Sequence, residues 1–381
     1  MINKKNKSEK FFQEGMNFFK DGKYIYAKRK FDFAIKYDDN KNPFYHYYKA
    51  KALFSLNRKK ECLVELEDSI IYFNEKIRSE PNVAKYYNGR AEAFELLVKR
   101  FDLEVDTLKD LGIDLLKENF FDDTDKVITK MMSIFKKIID DSEISINLEP
   151  TNLDFKLHKA KFYSFLASFL DSDYSCKLHG YFEKTDLIDD AINECNVVLM
   201  MDSKNTKALM IKGEIYQDLN KYNESLEEFD KVLAIDPFNI EAIYSKGYSL
   251  LRLGKYEESI IAFDKVIEKE PKNYLAHSFK GRDLYYLVKY EESIKEFDLA
   301  ISISPKDYFT YLYKGDSLIK MNKKDEALKE YNKAIRIAPY SIAASDRKVL
   351  LLKEMNKQKE MNKEISRAFN ANICSFDRKK K

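Results

Sequence analysis

Apolar residues in the C-terminal half of the chain recur at spacings of three and four positions. Each such stretch covers about 12 to 15 residues and ends at a polar break, for example Asn220-Lys221 or Gly254-Lys255. This spacing is typical of an amphipathic α-helix with one apolar face. The pattern therefore predicts helices that come in pairs, joined by short turns.

The helix pairs repeat every 34 residues. Glycines stand at 213, 247, 281 and 315, and prolines at 237, 271, 305 and 339. Three further columns keep the same register: a small residue at 225, 259, 293 and 327, an aromatic at 229, 263, 297 and 331, and a small or medium apolar residue at 232, 266, 300 and 334. Five columns in register through four units exclude coincidence.

The residue types in these columns have physical reasons. Glycine in the first helix and a small residue early in the second let the two helix axes approach, and a larger side chain would overpack the contact. The aromatic is expected to fill the space between one unit and the next. Proline ends the second helix. A single pair cannot bury both of its faces, so the sequence predicts an all-α solenoid of stacked antiparallel helix pairs.

The columns resemble the tetratricopeptide repeat, and the segment from Lys212 to Pro237 follows that family's pattern closely. The resemblance covers residues 206–341. It implies a superhelix whose first helices line a concave groove, and a non-catalytic protein that binds a protein or peptide partner there.

The remaining segments follow the repeat less closely. We expect N-terminal repeats over 1–76, with Gly15, Ala27, Phe31 and Ala34 in column, and a divergent helical segment over 77–150 with helices near 86–97, 105–116 and 127–139. A further repeat is expected over 151–205 with a loop insertion at 171–186. Four regular repeats occupy 206–341, and degenerate capping helices with a basic tail occupy 342–381.

Charge and cysteine usage narrow the class of protein. The chain has 67 basic and 64 acidic residues spread along its length, a balance that argues against a nucleic-acid partner. Its four cysteines form no CxxC pair, which is typical of reduced thiols. No apolar stretch approaches the roughly 18 residues of a membrane span. We therefore expect a cytoplasmic protein with neither a nucleic-acid nor a membrane partner.

Signatures of catalysis are missing from the sequence. It contains no GxxxxGK[ST], GxGxxG or HExxH motif, so we expect no enzymatic activity, no cofactor and no metal. Cys176 and His179 have ligand-like spacing, but a tetrahedral site needs two more ligands. The acidic pairs at 227–228, 257–258 and 291–292 are expected at helix starts, where carboxylates complement the helix dipole.

The resemblance also implies which side chains face the groove. Among them, the predicted partner-binding residues are Tyr244, Tyr248, Arg252, Arg282, Tyr285, Tyr286 and Phe309. Tyrosine and arginine dominate interface hot spots because they bury large areas while keeping polar groups available. An ordinary solvated surface is the alternative interpretation of these residues.

Two other functions remain open. The capping helices at 342–369 could pair with a second copy and make the protein a homo-oligomer. An accessory RNA-binding role is a third possibility, against which the interspersed charge argues. A chaperone-tail clamp of the kind known in one subfamily is not expected, because its lysine and asparagine positions hold Phe12 and Met16, and again Met210 and Glu214.

Overall fold

The computed structural model describes residues 2–39, 41–101, 124–170 and 183–378. Within these residues the chain forms eighteen α-helices and no strand, as the sequence predicts. The chain divides into two compact units, Met1–Met201 and Asp202–Lys381, which are described separately.

The first unit is a stack of four helix pairs. Its helices are α1 (Ile2–Lys20), α2 (Tyr24–Lys36), α3 (Pro43–Ser55), α4 (Lys59–Ser79), α5 (Ala84–Phe101), α6 (Thr124–Leu148), α7 (Leu153–Phe169) and α8 (Lys184–Met201). Each odd-numbered helix packs on the next one to form a pair, and the second helix of one pair packs on the first helix of the next.

The second unit continues the same pattern with five pairs. Its helices are α9 (Thr206–Asp218), α10 (Tyr222–Ile235), α11 (Ile240–Arg252), α12 (Tyr256–Lys269), α13 (Tyr274–Tyr286), α14 (Tyr290–Ile303), α15 (Tyr308–Lys320), α16 (Lys324–Ile337), α17 (Ile342–Glu354) and α18 (Gln358–Arg378). The first helices α9, α11, α13 and α15 also touch one another in succession. The fold is therefore the predicted all-α solenoid.

Local side-chain chemistry sets where these helices begin and end. Asn205, Asn239 and Asn273 each precede a first helix and accept a hydrogen bond from the backbone N–H three residues later, at 3.0–3.1 Å. This N-cap satisfies a donor that has no partner inside the helix. The second helices end at 235, 269, 303 and 337, each two residues before a proline of the sequence pattern.

The turn inside each pair uses a left-handed residue, also every 34 positions. Asn220, Gly254, Val288 and Asn322 have φ between 57° and 76°. Glycine and asparagine tolerate this conformation, and a β-branched residue does so at a cost. Val288 therefore occupies a backbone position for which its side chain is poorly suited.

Each repeat glycine lies against the aromatic ring sixteen residues later. A Cβ added to Gly281 would stand 2.6 Å from Phe297, and one added to Gly213 would stand 2.6 Å from Phe229. The same ring also reaches the next unit, since Phe263 stacks on Phe279 at 5.6 Å. The aromatic column thus packs within its own pair as well as between pairs, and it leaves no room for a larger residue at positions 213 and 281.

The small residue early in the second helix adds a hydrogen bond that spacing alone does not show. Ser259 donates to the carbonyl oxygen of Gly247 at 2.9 Å, and Ser293 donates to that of Gly281 at 2.8 Å. Ser293 Oγ also lies 3.1 Å from Ser317 Oγ in the next pair. These buried hydroxyls join three helices, the two of one pair and the first of the next.

Lysines at the position before the glycine form ion pairs across repeats. Lys280 Nζ lies 2.8 Å from Asp264 of the preceding repeat and 2.8 Å from Glu296 of its own. Burial alone would lower the pKa of Lys280, but the hydrogen bonds to these two carboxylates raise it. Lys49 is held in the same way by Asp32 and Glu65. Each of these ammonium groups therefore links neighbouring pairs.

The segment 77–150 contains a helix pair that the repeat spacing does not reveal. Helices α5 and α6 confirm the predicted helices near 86–97 and 127–139, and they pack on each other. Arg90 donates from Nε and Nη2 to both carboxylate oxygens of Asp141 at 2.7 Å, and both side chains are buried. The register is lost because the second helices are long here, 21 residues in α4 and 25 in α6 against 14 in α10.

Three sequence expectations fall wholly or partly outside the described residues. The predicted helix near 105–116 lies outside them, as do Cys176 and His179. Residues 171–182 of the predicted insertion lie outside as well, and helix α8 begins at Lys184, so 184–186 form its first turn.

The expectation for the acidic pairs is wrong at one of three places. Glu257-Glu258 and Glu291-Glu292 lie in the first turns of α12 and α14, as predicted. Glu228 is instead farther along α10, where it is 4% exposed and paired with Lys212 and Lys231. Its column is that of Glu296 and Glu330, which pair with the repeat lysines.

None of the helices in the described residues is both long enough and apolar enough to span a bilayer.

Candidate functional site

The first helices of the second unit, together with the first residues of α10 and α12, present a continuous strip of aromatic rings and guanidinium groups. We call it the aromatic–arginine strip. It comprises Tyr222, Tyr244, Tyr248, Arg252, Tyr256, Phe279, Arg282, Tyr285, Tyr286, Tyr313 and Arg347. Six of the seven residues predicted from the sequence belong to it.

Arg252 lies at one end of the strip. Its guanidinium lies 4.8 Å from the ring centre of Tyr222 and 5.8 Å from that of Tyr248. Nη1 donates to the Tyr248 hydroxyl at 2.9 Å, and Nη2 lies 3.4 Å from Asn220 Oδ1. Two rings and two hydrogen bonds therefore hold an exposed cation at the end of helix α11.

Tyr244 and Tyr248 connect this end to the next repeat through Phe279. The ring of Phe279 lies 6.0 Å from that of Tyr244 and 5.4 Å from that of Tyr248. Tyr244 also packs edge-on against Phe263 at 5.9 Å. Burial raises the pKa of Tyr244 to about 12, so its hydroxyl stays protonated across the physiological range.

Arg282 occupies the centre of the strip, between two rings. Its guanidinium lies 5.4 Å from Phe279 and 4.7 Å from Tyr313. Its Nε is buried and has no hydrogen-bond partner in the described chain. The side chain is thus held in place by packing while part of its donor capacity is unused.

Arg347 lies on Tyr313 at the far end of the strip. Its guanidinium is 5.7 Å from the ring centre, and its Nε donates to Asp316 Oδ2 at 3.0 Å. The same carboxylate accepts a hydrogen bond from Tyr331 at 2.6 Å. Unlike Arg282, this arginine has a carboxylate partner from its own chain.

Tyrosines from three helices border the centre of the strip. Tyr286 stacks on Tyr256 at 4.9 Å with a 14° angle between the rings, and it is 42% exposed. Tyr285 meets Tyr286 edge-on at 5.4 Å and lies 5.8 Å from Tyr290. Burial raises the pKa of both Tyr285 and Tyr286, so their hydroxyls are neutral donors.

Phe309 is the predicted residue that the structure leaves outside these contacts. It is 52% exposed, and its ring contact within the described chain is with its neighbour Tyr308 at 4.2 Å. Sequence reasoning missed five members of the strip, which occupy two shared repeat positions: Tyr222 and Tyr256 at one, and Phe279, Tyr313 and Arg347 at the other. The signal available in the sequence was an aromatic residue at the same position of two successive first helices, 279 and 313.

One group in the described residues could in principle hold a metal ion. Nδ1 of His46 lies 2.9 Å from Glu65 Oε2 and 3.7 Å from Asp68 Oδ2. Lys49 lies 2.7 Å from the other Glu65 oxygen, which places an ammonium group against the would-be ligand.

The same arrangement recurs in another repeat. His277 lies 2.7 Å from Glu296, which is also bound by Lys280. The recurrence in register shows that the histidine–glutamate–lysine group belongs to the packing of the repeat, and we assign no metal to it.

Three family models match parts of the chain between residues 184 and 341, and the first two matches overlap. The model for subunit 3 of the anaphase-promoting complex, or cyclosome, matches residues 184–266. Two tetratricopeptide-repeat models match residues 244–308 and 310–341. Paired helices with this register define a helical-repeat protein, and the strip makes it one with an aromatic and basic face. The chain is a tetratricopeptide-repeat protein, of a class that generally binds other proteins and is typically non-catalytic.

Solved structures with similar folds include three that differ in extent. MamA is 24% identical, with 40% of this chain and 90% of that chain covered and a TM-score of 0.38. A tetratricopeptide repeat protein from Parabacteroides merdae is 18% identical, covers 65% and 90%, and has a TM-score of 0.48. Yeast Tom70 is 16% identical, covers 97% and 96%, and has a TM-score of 0.42. All three scores are below 0.5, so they add nothing to what the repeat pattern establishes. No curated protein sequence matches the chain.

Proposed function

We propose that this protein is a non-catalytic scaffold that binds a protein or peptide partner along the aromatic–arginine strip. The observation that carries the proposal is the continuity of the strip. Ring and cation contacts run without a break from Tyr222 through Phe279 and Tyr313 to Arg347, across successive repeats of one unit.

The physical state of these side chains supports a binding role. Contacts with one another fix the positions of these side chains. The protein therefore loses little conformational entropy when a partner binds. Arg252 and Tyr286 are exposed, and Tyr248 and Arg282 are half-buried. Large, ordered and amphipathic side chains of this kind provide most of the binding energy at protein interfaces.

A photo-crosslinking experiment tests the location. A benzophenone amino acid replaces Tyr286 in the full-length protein, which is irradiated in a lysate of the organism that makes it. The matched control carries the same amino acid at Ile261, which is 59% exposed on the second helix α12. Crosslinked proteins are identified by mass spectrometry.

We expect a discrete crosslinked species at position 286, absent at 261 and diminished when Tyr248→Ala is added. Equal capture at both positions would place the binding surface elsewhere. The variants unfold at the same denaturant concentration as the parent if the loss is one of binding and not of folding.

A second candidate function is self-assembly through the C-terminal capping helices. Leu350 on α17 and Ile365 and Phe369 on α18 are exposed by 61%, 47% and 65%. Charged substitutions at Ile365 and Phe369 would then lower the mass measured by light scattering at high protein concentration. A mass that stays that of a monomer at every concentration would exclude this function.

The remaining expectations follow from the same proposal. A nucleic-acid partner is not expected, and RNA binding that disappears at physiological salt would count as non-specific contact. A reducing compartment such as the cytoplasm is the expected location, because the four cysteines of the sequence form no CxxC pair.

A further inference from the structure

Two arginines of the strip have no carboxylate partner among the residues that the structure describes. In the described chain, neither Arg252 nor Arg282 has a carboxylate within ion-pair distance, although both guanidinium groups are fixed over aromatic rings. Arg347, on the same strip, is paired with Asp316. All three arginines lie over aromatic rings, and they differ in whether a carboxylate binds the guanidinium group.

The paired arginine shows what the unpaired ones lack. Arg347 and Arg282 lie at the same ring, that of Tyr313, at 5.7 and 4.7 Å. Arg347 completes its contacts by donating from Nε to a carboxylate oxygen of Asp316. Nε of Arg282 is buried and has no hydrogen-bond partner among the described residues. A buried donor without an acceptor is unfavourable, and an arriving carboxylate would relieve that cost.

We propose that the segment bound along the strip is an acidic peptide, with one carboxylate on Arg282 and a second on Arg252. This inference rests on the proposed function, because it names the chemistry of the partner at the same surface. The carboxylate at Arg282 takes the place that Asp316 takes at Arg347. Between the two arginines, the rings of Tyr248 and Phe279 contact the peptide segment that joins its two acidic residues.

Guanidinium geometry favours a carboxylate here. A planar guanidinium stacked on a ring keeps its in-plane N–H groups free for two parallel hydrogen bonds to one carboxylate. Of the acidic groups nearby, Asp316 binds Arg347 and Tyr331, and Asp283 is fully buried. Asp218 and Glu257 are exposed, and their charges act on Tyr222 and Asp283. Glu241 is exposed at the start of α11, at the opposite end of that helix from Arg252. The open charge at the centre of the strip is positive.

Selection from a random peptide library on the full-length protein tests the inference. Phage displaying peptides of about twelve residues are suitable, since an extended peptide of that length covers about 40 Å, the width of four packed helices. The selection is repeated on Arg252→Gln/Arg282→Gln and on Lys265→Gln/Lys295→Gln. The second variant removes the same charge from two exposed lysines on α12 and α14 that make no ion pair in the described chain.

We expect peptides selected on the parent and on the lysine variant to be enriched in Asp and Glu, and the enrichment to vanish on the arginine variant. One selected peptide is then labelled and measured by fluorescence anisotropy beside its twin with Gln for Glu. On the parent, the Gln twin should bind about 10- to 100-fold more weakly than the Glu peptide. On the arginine variant, the two peptides should bind equally weakly. Arg282→Lys should recover only part of the loss.

The outcomes separate this inference from the function on which it rests. Selected peptides without acidic enrichment, whose binding is lost in Tyr248→Ala/Tyr286→Ala, would overturn the acidic partner and leave the peptide-binding strip standing. Peptides that bind that tyrosine variant as well as the parent would overturn both. A phosphoserine twin that binds more than tenfold tighter than the Glu peptide, and is displaced by inorganic phosphate, would assign the arginines to phosphate and overturn the carboxylate assignment.

Discussion

Oδ2 of Asp283 lies 2.7 Å from Oγ of Ser259, inside the interface between two repeats. The same hydroxyl lies 2.9 Å from the carbonyl oxygen of Gly247, which can only accept. A hydroxyl has one proton. When that proton goes to Gly247, Asp283 can hydrogen-bond to Ser259 only if its own carboxyl group is protonated. Burial raises the pKa of Asp283 to about 7, although the hydrogen bond with Ser259 and the charge of Arg282 act in the opposite direction.

This arrangement predicts that stability decreases as the pH rises. The folded protein keeps the Asp283 proton up to a higher pH than the unfolded chain does, so folding takes up a proton between about pH 4 and pH 7. The free energy of unfolding should therefore fall across that window, by on the order of 3 kcal/mol from this group.

Asp283→Ser is the test, because Ser249 and Ser317 occupy the same position in neighbouring repeats. Compared with the parent, this variant should gain stability in urea unfolding at about pH 8 and little at about pH 4. Parallel pH profiles for the two proteins would contradict the assignment.

Gly281→Ala should destabilise the protein, and Gly247→Ala should not. The new methyl group at 281 would stand 2.6 Å from the fully buried ring of Phe297, whereas at 247 the nearest atom is 3.1 Å away. Overpacking costs about 1–3 kcal/mol, against roughly 1 kcal/mol gained in helix propensity. We expect a net loss of about 1 kcal/mol at 281 and a change near zero at 247. Urea midpoints of the two variants compare them directly, and equal midpoints would refute the steric explanation.

Val288→Asn should stabilise the protein by about 1 kcal/mol. Val288 has φ of 63° and is 66% exposed, so the valine contributes little packing that could offset its unfavourable backbone conformation. Asn322, one repeat after Val288, adopts the same conformation, and so does Asn220, two repeats before it. Thermal unfolding should show a higher midpoint for Val288→Asn, while the isosteric Val288→Thr stays near the parent. A lower midpoint for the asparagine variant would show that Val288 packs more strongly than its exposure indicates.

Removing one partner of the Arg90–Asp141 pair should cost about 3–5 kcal/mol, because it leaves a buried charge uncompensated. Asn74 also accepts from Arg90, and Lys137 lies 3.3 Å from Asp141, so the pair is part of a small network. Replacing both partners, in Arg90→Met/Asp141→Leu, should recover much of the loss.

A double-mutant cycle in urea measures the coupling between Arg90 and Asp141. The exposed pair Lys23–Asp21 is the control, and its removal should change stability by less than about 1 kcal/mol. Additive effects of the two single changes at 90 and 141 would show that the ion pair does not hold α5 to α6.

The fold could be predicted from the sequence where spacing alone determines it. Columns at 34-residue intervals give the helix pairs of the second unit, because the glycine and aromatic columns contact each other at a fixed separation of sixteen residues, as Gly281 and Phe297 do. The pair α5 and α6 could not be found in this way, since long second helices shift the register. Its specific contact, Arg90 to Asp141, joins residues 51 positions apart with no repeating pattern.

The candidate site was predictable in its outward-facing members and not in the rings that join them. Tyr248 and Arg282 follow from the resemblance to a known repeat. Phe279 and Tyr313 depend on how one first helix lies on the next, and this decides whether a side chain ends between helices or on the groove face. That the described residues place no carboxylate within ion-pair distance of Arg282 is likewise a property of packing, and no sequence pattern predicts it.

The hydroxyl contacts between repeats are not all of one kind, so the coupling energy between neighbouring repeats differs along the array. Ser225 meets Ser249 and Ser293 meets Ser317 through neutral groups, whereas Ser259 meets a carboxyl group. In a nearest-neighbour array, unfolding starts at the interface with the smallest coupling energy. At alkaline pH, we expect the interface with the smallest coupling energy to be the one between the pair α11–α12 and helix α13, where Ser259 meets Asp283. Amide hydrogen exchange at high pH should then begin from the middle of the regular repeats and not only from the ends of the array.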